Sequence, residues 1–148
     1  MTAILNRKAR FEYHILERIE AGIVLVGSEV KSLRAGQANL SEAHCIIRNG
    51  QAELIGCHIA PYKPAAGEHP DDPARSRRLL LHKREIARLT GKLKEKGLTL
   101  VPLKLYFNER GIAKLEIALA RGKKLYDKRR AMRERDIQRD LQRNYKTR

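Results

Sequence analysis

The sequence contains no tryptophan, only two cysteines and no long apolar run. A membrane-spanning helix needs roughly 18 or more consecutive apolar residues, so no transmembrane segment is predicted. Cys45 and Cys57 are too few for a disulfide scaffold. The chain reaches Arg7 after only Ile4 and Leu5, which predicts no signal peptide. We therefore expect a soluble, cytoplasmic protein with reduced thiols.

Acidic residues are scarce relative to basic ones. The chain of 148 residues carries 32 Lys and Arg against 17 Asp and Glu, a formal net charge of +15. An excess of this size destabilises a compact protein through self-repulsion, which a polyanionic partner relieves. A strongly basic domain is typical of nucleic-acid binding, although basic enzymes and ribosomal proteins share the feature. Charge therefore predicts the class of partner and leaves the function open.

The positive charge divides unevenly along the chain. Residues 1–120 hold 20 basic and 13 acidic residues, a net of +7. Residues 121–148 hold 12 and 4, a net of +8. More than half of the excess therefore lies in the last 28 residues. We expect two parts, a nucleic-acid-binding body over 1–120 and a basic tail over 121–148.

The tail has a helical pattern with a thin apolar stripe. No glycine or proline follows Gly122, and Ile137, Leu141 and Tyr145 recur every four residues. Three such side chains bury too little surface to offset the entropy of ordering the segment in solution. We expect a tail that is disordered when free and helical when bound. A flexible, solvated extension is the alternative.

Strand patterns dominate residues 1–120. Apolar and polar side chains alternate from Phe11 to Ile19, and Asn49-Gly50 lies at the centre of a hairpin pattern. Segments with strand patterns are 11–19, 23–26, 43–57 as one hairpin, 98–107 with a bulge or an edge at Pro102, and 113–119. Helix signals cover 28–36, with a cap at its serine, and 82–96. Short antiparallel strands predict a mainly β fold, a small closed barrel with two or three short helices, because closure removes exposed edges.

Candidate catalytic and metal-binding motifs are weak. His44-Cys45 and Cys57-His58 form two adjacent pairs, but neighbouring side chains on a strand point to opposite faces and the usual metal-ligand spacing is absent. The sequence has no nucleophile elbow and no phosphate-binding loop. A small basic nuclease using His14 or His82 is the enzymatic alternative. We expect no metal, no cofactor and no enzymatic activity.

Four basic segments favour nucleic-acid binding. They are Arg7-Lys8 with Arg10, Lys31 with Arg34, Arg75 with Arg77-Arg78, and Lys123-Lys124 with Lys128-Arg129-Arg130. One such cluster is ordinarily a solvated surface, but four with little compensating acid indicate a polyanionic partner. Tyr13, Tyr126 and Tyr145 offer rings for stacking on unpaired bases. For Tyr13, a place in the core is an equal alternative.

Several motifs in this order resemble one bacterial family. They are Asn6-Arg7-Lys8-Ala9-Arg10, Glu20-Ala21-Gly22, Glu29-Val30-Lys31-Ser32-Leu33-Arg34 between glycines, Leu79-Leu80-Leu81, and Gly122-Lys123-Lys124 with Asp127-Lys128-Arg129. The chain resembles the SsrA-binding protein family, also called small protein B, from about Asn6 through the tail. The resemblance implies a six-stranded barrel of the oligonucleotide-binding type with helices packed on it.

The family resemblance also implies a function. Members of the SsrA-binding protein family bind the tRNA-like domain of transfer-messenger RNA and carry it to the A site of stalled ribosomes for trans-translation. The tail is implied to fold in the vacant mRNA channel, and elongation factor Tu and alanyl-tRNA synthetase act only indirectly, through the RNA. We expect a monomeric adaptor that meets the decoding centre of the small ribosomal subunit. A general barrel-type RNA chaperone or a ribosomal protein is the alternative.

Individual residues follow from the matching positions. Glu20, Leu80 and Lys114 match family positions that hold the RNA, and the other candidate RNA-binding residues are Asn6, Arg7, Lys8, Lys31 and Arg34. Glu20 as a plain surface acid and Leu80 as a core residue are the alternatives. Residues implied at the decoding centre or in the mRNA channel are Lys123, Lys124, Tyr126, Asp127, Lys128, Arg129, Arg130, Ile137 and Leu141. Phe11 and Tyr126 replace a histidine found in some members.

Overall fold

The structure is a computed structural model that describes residues 3–62 and 72–123. Within these ranges the helices are α1 (Arg7–Glu12), α2 (Gly27–Arg34) and α3 (Lys83–Lys92). The strands are β1 (Ile4–Leu5), β2 (Tyr13–Ile23), β3 (Ala38–Asn39), β4 (His44–Arg48), β5 (Gln51–Ile55), β6 (His58–Ile59), β7 (Arg77–Leu80), β8 (Leu98–Phe107) and β9 (Ala113–Gly122). Among the described residues no helix is long and apolar enough to cross a membrane.

Six antiparallel strands close into a ring. The order around the barrel is β8, β4, β5, β7, β2, β9 and back to β8. The short strand β1 pairs with β8 outside this ring, and β3 pairs with β6 as a separate two-stranded sheet. The predicted mainly β, six-stranded closed barrel is therefore confirmed, with three helices in the described part of the chain.

The hairpin at Asn49-Gly50 forms as its sequence predicts. Both turn residues have positive φ, 52° at Asn49 and 72° at Gly50, as a two-residue hairpin turn requires. The resulting register pairs Cys45 with Leu54, so Cys45 does not face Cys57 across the hairpin. Both thiols are free and buried, and burial raises the pKa of Cys57 to about 11 and also raises the pKa of Cys45.

The second predicted hairpin joins β8 to β9. The turn at 108–111 is closed by a 2.9 Å hydrogen bond from the Asn108 amide to the Ile112 carbonyl oxygen, and Gly111 adopts a φ of 76°. The register shifts between Pro102 and Lys104, which is the predicted bulge. Strand β9 continues to Gly122, two residues past the expected end of the body.

The apolar core has two parts, one inside the barrel and one outside it. The inner cluster includes Leu33 of α2, Leu89 of α3 and most inward-facing strand residues. The outer cluster lies beneath α1 and consists of Ala9, Val101, Leu103, Ala118 and Ala120. Helix α1 therefore covers part of the outer surface of β8 and β9.

Three local predictions are corrected. Residues 7–12 form α1 and not the start of a strand, so Phe11 projects into solvent with 80% of its surface exposed. Val24 and Val26 are exposed and lie outside any strand, because the chain leaves the barrel there to enter α2. Helix α2 is capped at Val26, whose amide bonds the Glu29 carboxylate at 3.0 Å, and not by the serine.

Helix α3 is shorter than predicted. It spans Lys83–Lys92, whereas the sequence pattern continues to Lys96. The carboxyl-terminal cap is Leu93, whose amide bonds the Leu89 and Gly91 carbonyl oxygens. Leu89 is fully buried and Leu93 packs against the inner cluster, so the predicted apolar face does contact the core.

Candidate nucleic-acid interface

Glu20, Leu80 and Lys114 come from three different strands and meet at one site. The register explains why, because Gly22 of β2 pairs with Leu80 on one side and with Lys114 on the other. The three side chains line a shallow open pocket with a volume of about 450 Å³. The other lining residues are Gly22, Ile23, Leu81, His82, Glu85, Ile112 and Ala113.

The Glu20 carboxylate is held from two sides and remains open to solvent. The Tyr106 hydroxyl donates a 2.5 Å hydrogen bond to its Oε2 atom. The Lys114 Nζ atom lies 3.9 Å from Oε1. The Glu20 side chain is nevertheless 56% exposed, so its oxygens can accept hydrogen bonds from base amino groups but repel phosphates. A carboxylate at this position therefore suits base recognition better than backbone binding.

Tyr106 is a part of the site that sequence reasoning missed. Burial, together with the hydrogen bond to the Glu20 carboxylate, raises the pKa of its phenol, so the hydroxyl stays protonated and donating. The Lys104 ammonium lies 4.7 Å from the centre of its ring. The sequence does contain a signal for the position of Tyr106, because the turn at 108–111 sets a hairpin register that pairs Tyr106 with Lys114.

Leu80 is an exposed apolar residue and not a core residue. It is 52% exposed, and Ile112 in the same pocket is 51% exposed. Gly22 permits this placement, since a Cβ atom there would lie 3.1 Å from the Leu80 Cβ atom. An exposed leucine next to an anchored carboxylate offers a base both an apolar surface and hydrogen-bond acceptors.

The two basic residues of α2 lie over aromatic rings. The Lys31 Nζ atom is 5.9 Å from the centre of the Tyr62 ring, and the Arg34 guanidinium is 5.4 Å from that of Phe107. Both cations are exposed. Because Phe107 follows Tyr106 in β8, the carboxyl end of α2 lies near the pocket end of the barrel.

Arg7 and Lys8 lie near the end of β2 that is opposite the pocket. Tyr13, which follows α1, pairs with Gly122, whereas Gly22 pairs with Lys114. Nine residue steps of strand separate these two pairs, roughly 30 Å. Arg7 is exposed, and Lys8 is also exposed while pairing with Glu42 at 3.3 Å. The predicted RNA-binding residues therefore divide between two ends of the body, and Lys123, in the first residues of the tail, lies at the α1 end.

Comparison with known proteins places the chain in a family. The model of the family described as SmpB protein matches residues 3–147. The chain belongs to the SmpB protein family. The SsrA-binding proteins of Chlorobaculum tepidum and of a Sulfurihydrogenibium species are 60% and 57% identical to it, over 96% and 95% of this chain and 90% and 91% of theirs.

A solved structure shares the fold of this SmpB family chain. It comes from work described as "tmRNA-SmpB: a journey to the center of the bacterial ribosome". The similarity has a TM-score of 0.69 at 52% identity, over 83% of this chain and 85% of the other. The resemblance predicted from the motifs is confirmed.

Asn6, although predicted to bind RNA, has a buried side chain that bonds the protein itself. It is 3% exposed, and its amide donates to the Pro102 oxygen at 2.8 Å and to the Leu40 oxygen at 3.3 Å. Its Oδ1 atom accepts from the Ala9 amide and so caps α1. Asn6 fixes the helix that presents Arg7 and Lys8, and its RNA-binding role stays a prediction.

The basic segment Arg75–Arg78 is likewise not a free cationic surface. Arg77 is fully buried and donates from Nε to the buried Glu29 carboxylate at 2.8 Å. Arg75 donates to the other Glu29 oxygen at 2.5 Å. Arg78 is exposed. Two of the three arginines therefore balance a buried acid, and this SmpB family chain offers fewer free cations here than its sequence indicates.

The remaining predicted residues divide by whether the structure describes them. Lys123 is described and half-exposed. Those outside the described residues are Lys124, Tyr126, Asp127, Lys128, Arg129, Arg130, Ile137, Leu141 and Tyr145. Within residues 3–62 and 72–123 no group of three His, Cys, Asp or Glu side chains is arranged to hold a metal ion. His44 is exposed and Cys45, its neighbour on β4, is buried, as expected for adjacent strand residues; His58 is exposed and Cys57, just before β6, is buried.

Proposed function

We propose that this chain binds the tRNA-like domain of transfer-messenger RNA and delivers it to the A site of stalled ribosomes for trans-translation. The observation that carries the proposal is the convergence of Glu20, Leu80 and Lys114 in one pocket. The relatives are named SsrA-binding proteins, and the solved structure comes from work on tmRNA and SmpB in the bacterial ribosome. The tail over 121–148 senses the empty mRNA channel.

The pocket chemistry favours a selective adaptor over a general RNA chaperone. Phosphate binding needs only cations, whereas this pocket combines an anchored carboxylate, an exposed leucine and one lysine. A carboxylate costs affinity for any RNA that does not present a base amino group to it. Selectivity for one folded RNA is the expected consequence.

The two ends of the body have different partners in this proposal. The pocket end holds transfer-messenger RNA, and the α1 end, where Arg7, Lys8 and Lys123 lie, approaches the decoding centre of the small subunit. Residues 1–120 act as the body and 121–148 as the tail. Elongation factor Tu and alanyl-tRNA synthetase act indirectly, through the RNA. The chain is a cytoplasmic monomer that catalyses no reaction.

Glu20→Ala tests the function through selectivity. We expect the wild-type protein to prefer the tRNA-like domain over an unrelated hairpin RNA in a competition assay. Loss of the carboxylate should weaken binding to the tRNA-like domain by roughly 5- to 150-fold, since a good base contact contributes about 1–3 kcal/mol, even though the net charge rises by one. Binding to the hairpin should not weaken.

Glu42→Ala is the matched control for Glu20→Ala. It removes an exposed carboxylate, 81% exposed against 56% for Glu20, on the turn beside α1, and should leave the affinity for the tRNA-like domain unchanged or slightly higher. An undiminished affinity of Glu20→Ala would make Glu20 a plain surface acid. A wild-type protein without any preference between the two RNAs would favour the chaperone alternative.

Tyr106→Phe tests how the carboxylate is held. The substitution removes only the hydroxyl, so the ring stays under Lys104 while Glu20 loses its 2.5 Å hydrogen bond. We expect binding to the tRNA-like domain to weaken by about 5- to 10-fold, because such a bond contributes about 1 kcal/mol. Tyr62→Phe, which removes a hydroxyl from a different ring, should bind as wild type. Equal affinity of both variants would contradict the role of Tyr106.

A further inference from the structure

Helix α3 and the turn after it carry most of the net charge of the body. Residues 83–96 contain six basic and two acidic residues, a net of +4, against +7 for residues 1–120. The basic residues are Lys83, Arg84, Arg88, Lys92, Lys94 and Lys96, and all six are exposed. This segment lies outside the motifs that carry the family resemblance.

The cations of α3 are exposed, whereas its apolar residues face the core. Leu89 is buried, and Leu93 packs against the inner core cluster. Arg84, Arg88 and Lys92 follow one another at intervals of four residues, which places them in one row along the exposed face. The row is roughly 12 Å long at the helical rise of 1.5 Å per residue.

Few of these cations are neutralised within the protein. Arg88 pairs with Glu17 of β2 at 2.7 Å. The Glu85 carboxylate accepts a hydrogen bond from the His82 amide at 3.1 Å and serves the start of the helix. Across residues 3–62 and 72–123, the other five cations of this segment form no ion pair. The face therefore retains its charge for an external anion.

The charged face is continuous with the pocket. His82 and Glu85, at the start of α3, line the same pocket as Glu20, Leu80 and Lys114. The helix then extends away from the pocket for roughly 15 Å. An RNA segment with one base in the pocket would therefore have its adjoining backbone close to the row of cations.

We propose that residues 83–96 form a phosphate-binding surface for the backbone of the same RNA that occupies the pocket. This inference rests on the proposed function. The pocket recognises base chemistry, whereas the α3 surface supplies affinity without regard to sequence. Release of counterions from the bound backbone makes the contribution of α3 dependent on salt. The proposal separates selectivity and electrostatic affinity into adjacent parts of one interface.

The test is the salt dependence of binding to the isolated tRNA-like domain. The triple variant Arg84→Gln, Lys92→Gln, Lys94→Gln should reduce the slope of log K against log salt by about three, one unit for each phosphate that is no longer neutralised. At low salt its affinity should fall by about tenfold or more. The charge-conserving variant Arg84→Lys, Lys92→Arg, Lys94→Arg should keep the wild-type slope.

The matched control removes the same charge elsewhere. Arg18→Gln, Arg48→Gln, Arg121→Gln replaces three exposed cations outside α3 and outside the predicted RNA-binding residues, and should keep a slope close to wild type. Equal losses in the two triple variants would overturn the proposal, because net charge alone would then explain them. An α3 variant that binds the RNA normally but loses ribosome binding would also overturn it. Preference for the tRNA-like domain over a hairpin RNA is measured in parallel on the wild type, so failure of the proposed function is detected separately.

Discussion

Arg77→Met is expected to lower the free energy of unfolding by about 3–5 kcal/mol. Arg77 and Glu29 are both fully buried, and replacing the arginine leaves a buried carboxylate with Arg75 as its remaining charged partner. A buried charge that loses its partner retains its desolvation cost without the compensating attraction. The pocket substitutions at Glu20 and Tyr106 should affect stability much less, because the Glu20 side chain is largely exposed.

The guanidinium of Arg77 also satisfies backbone groups. Besides its bonds to Glu29, it donates to the carbonyl oxygens of Cys57 and Pro73, the latter at 2.8 Å. It therefore links α2, the chain after β5 and the chain that enters β7. Methionine fills part of the same volume but donates no hydrogen bond, so these carbonyl groups would lose a buried donor.

The measurement is chemical denaturation monitored by circular dichroism, with Arg78→Met as the matched control. Arg78 neighbours Arg77 on β7 but is exposed, so its substitution should change stability by no more than about 0.5 kcal/mol. The double variant Arg77→Met, Glu29→Leu removes both charges and should recover part of the loss. If Arg77→Met were as stable as Arg78→Met, the buried pair would not contribute as described.

The pH dependence of stability gives this prediction a second readout. Burial alone would raise the pKa of Glu29, but hydrogen bonds from Arg75, the Val26 amide and Arg77 hold it below the ordinary value. A carboxyl group whose folded-state pKa is lowered contributes stability above its unfolded pKa of about 4.3, and that contribution is lost as the pH falls through the folded value. Glu29→Gln should therefore show a weaker loss of stability below about pH 4.5 than the wild type.

The hairpins were predictable because their signals are local. Asn49-Gly50 fits a positive φ at both turn residues, and this fixes the register of β4 and β5 without reference to the rest of the chain. Helix α1 was not predictable in this way. It has only six residues, and its cap Asn6 is held by the carbonyl oxygens of Leu40 and Pro102, 34 and 96 residues away.

The candidate site was predictable as a set of residues but not as a geometry. Glu20, Leu80 and Lys114 followed from the family resemblance, whereas their meeting depends on Gly22 pairing with both β7 and β9. The prediction that counted Arg77 among the cations available to nucleic acid failed for the same physical reason. A basic segment looks free in sequence, and its partner Glu29 lies 48 residues earlier in the chain.

Deletion of residues 127–148 is expected to abolish tagging on stalled ribosomes while the selective binding of the tRNA-like domain persists. The deleted segment holds nine basic and four acidic residues, a net of +5, so affinity for any RNA should decrease somewhat at low salt. The preference for the tRNA-like domain over a hairpin RNA should remain. The reason is distance, because the pocket lies roughly 30 Å along β2 from the pair Tyr13–Gly122, where the tail begins.

A charge-conserving variant separates the sequence of the tail from its charge. Ile137→Ser, Leu141→Ser keeps every charge and removes two of the three apolar residues of the stripe. If the tail must fold as a helix on its binding site, this variant should tag poorly while binding RNA as well as the wild type. Normal tagging by the protein lacking 127–148 would contradict the proposed role of the tail.

Mixing two defective proteins tests whether one molecule performs both roles. Glu20→Ala retains the tail but binds the RNA weakly, and the protein lacking 127–148 binds the RNA but lacks the tail. If a single monomer must join the RNA to the ribosome through opposite ends of β2, the mixture should tag no better than the more active of the two proteins alone. Restored tagging would mean that separate molecules supply the two functions, and the roughly 30 Å between the two ends of the body would then have no mechanistic role.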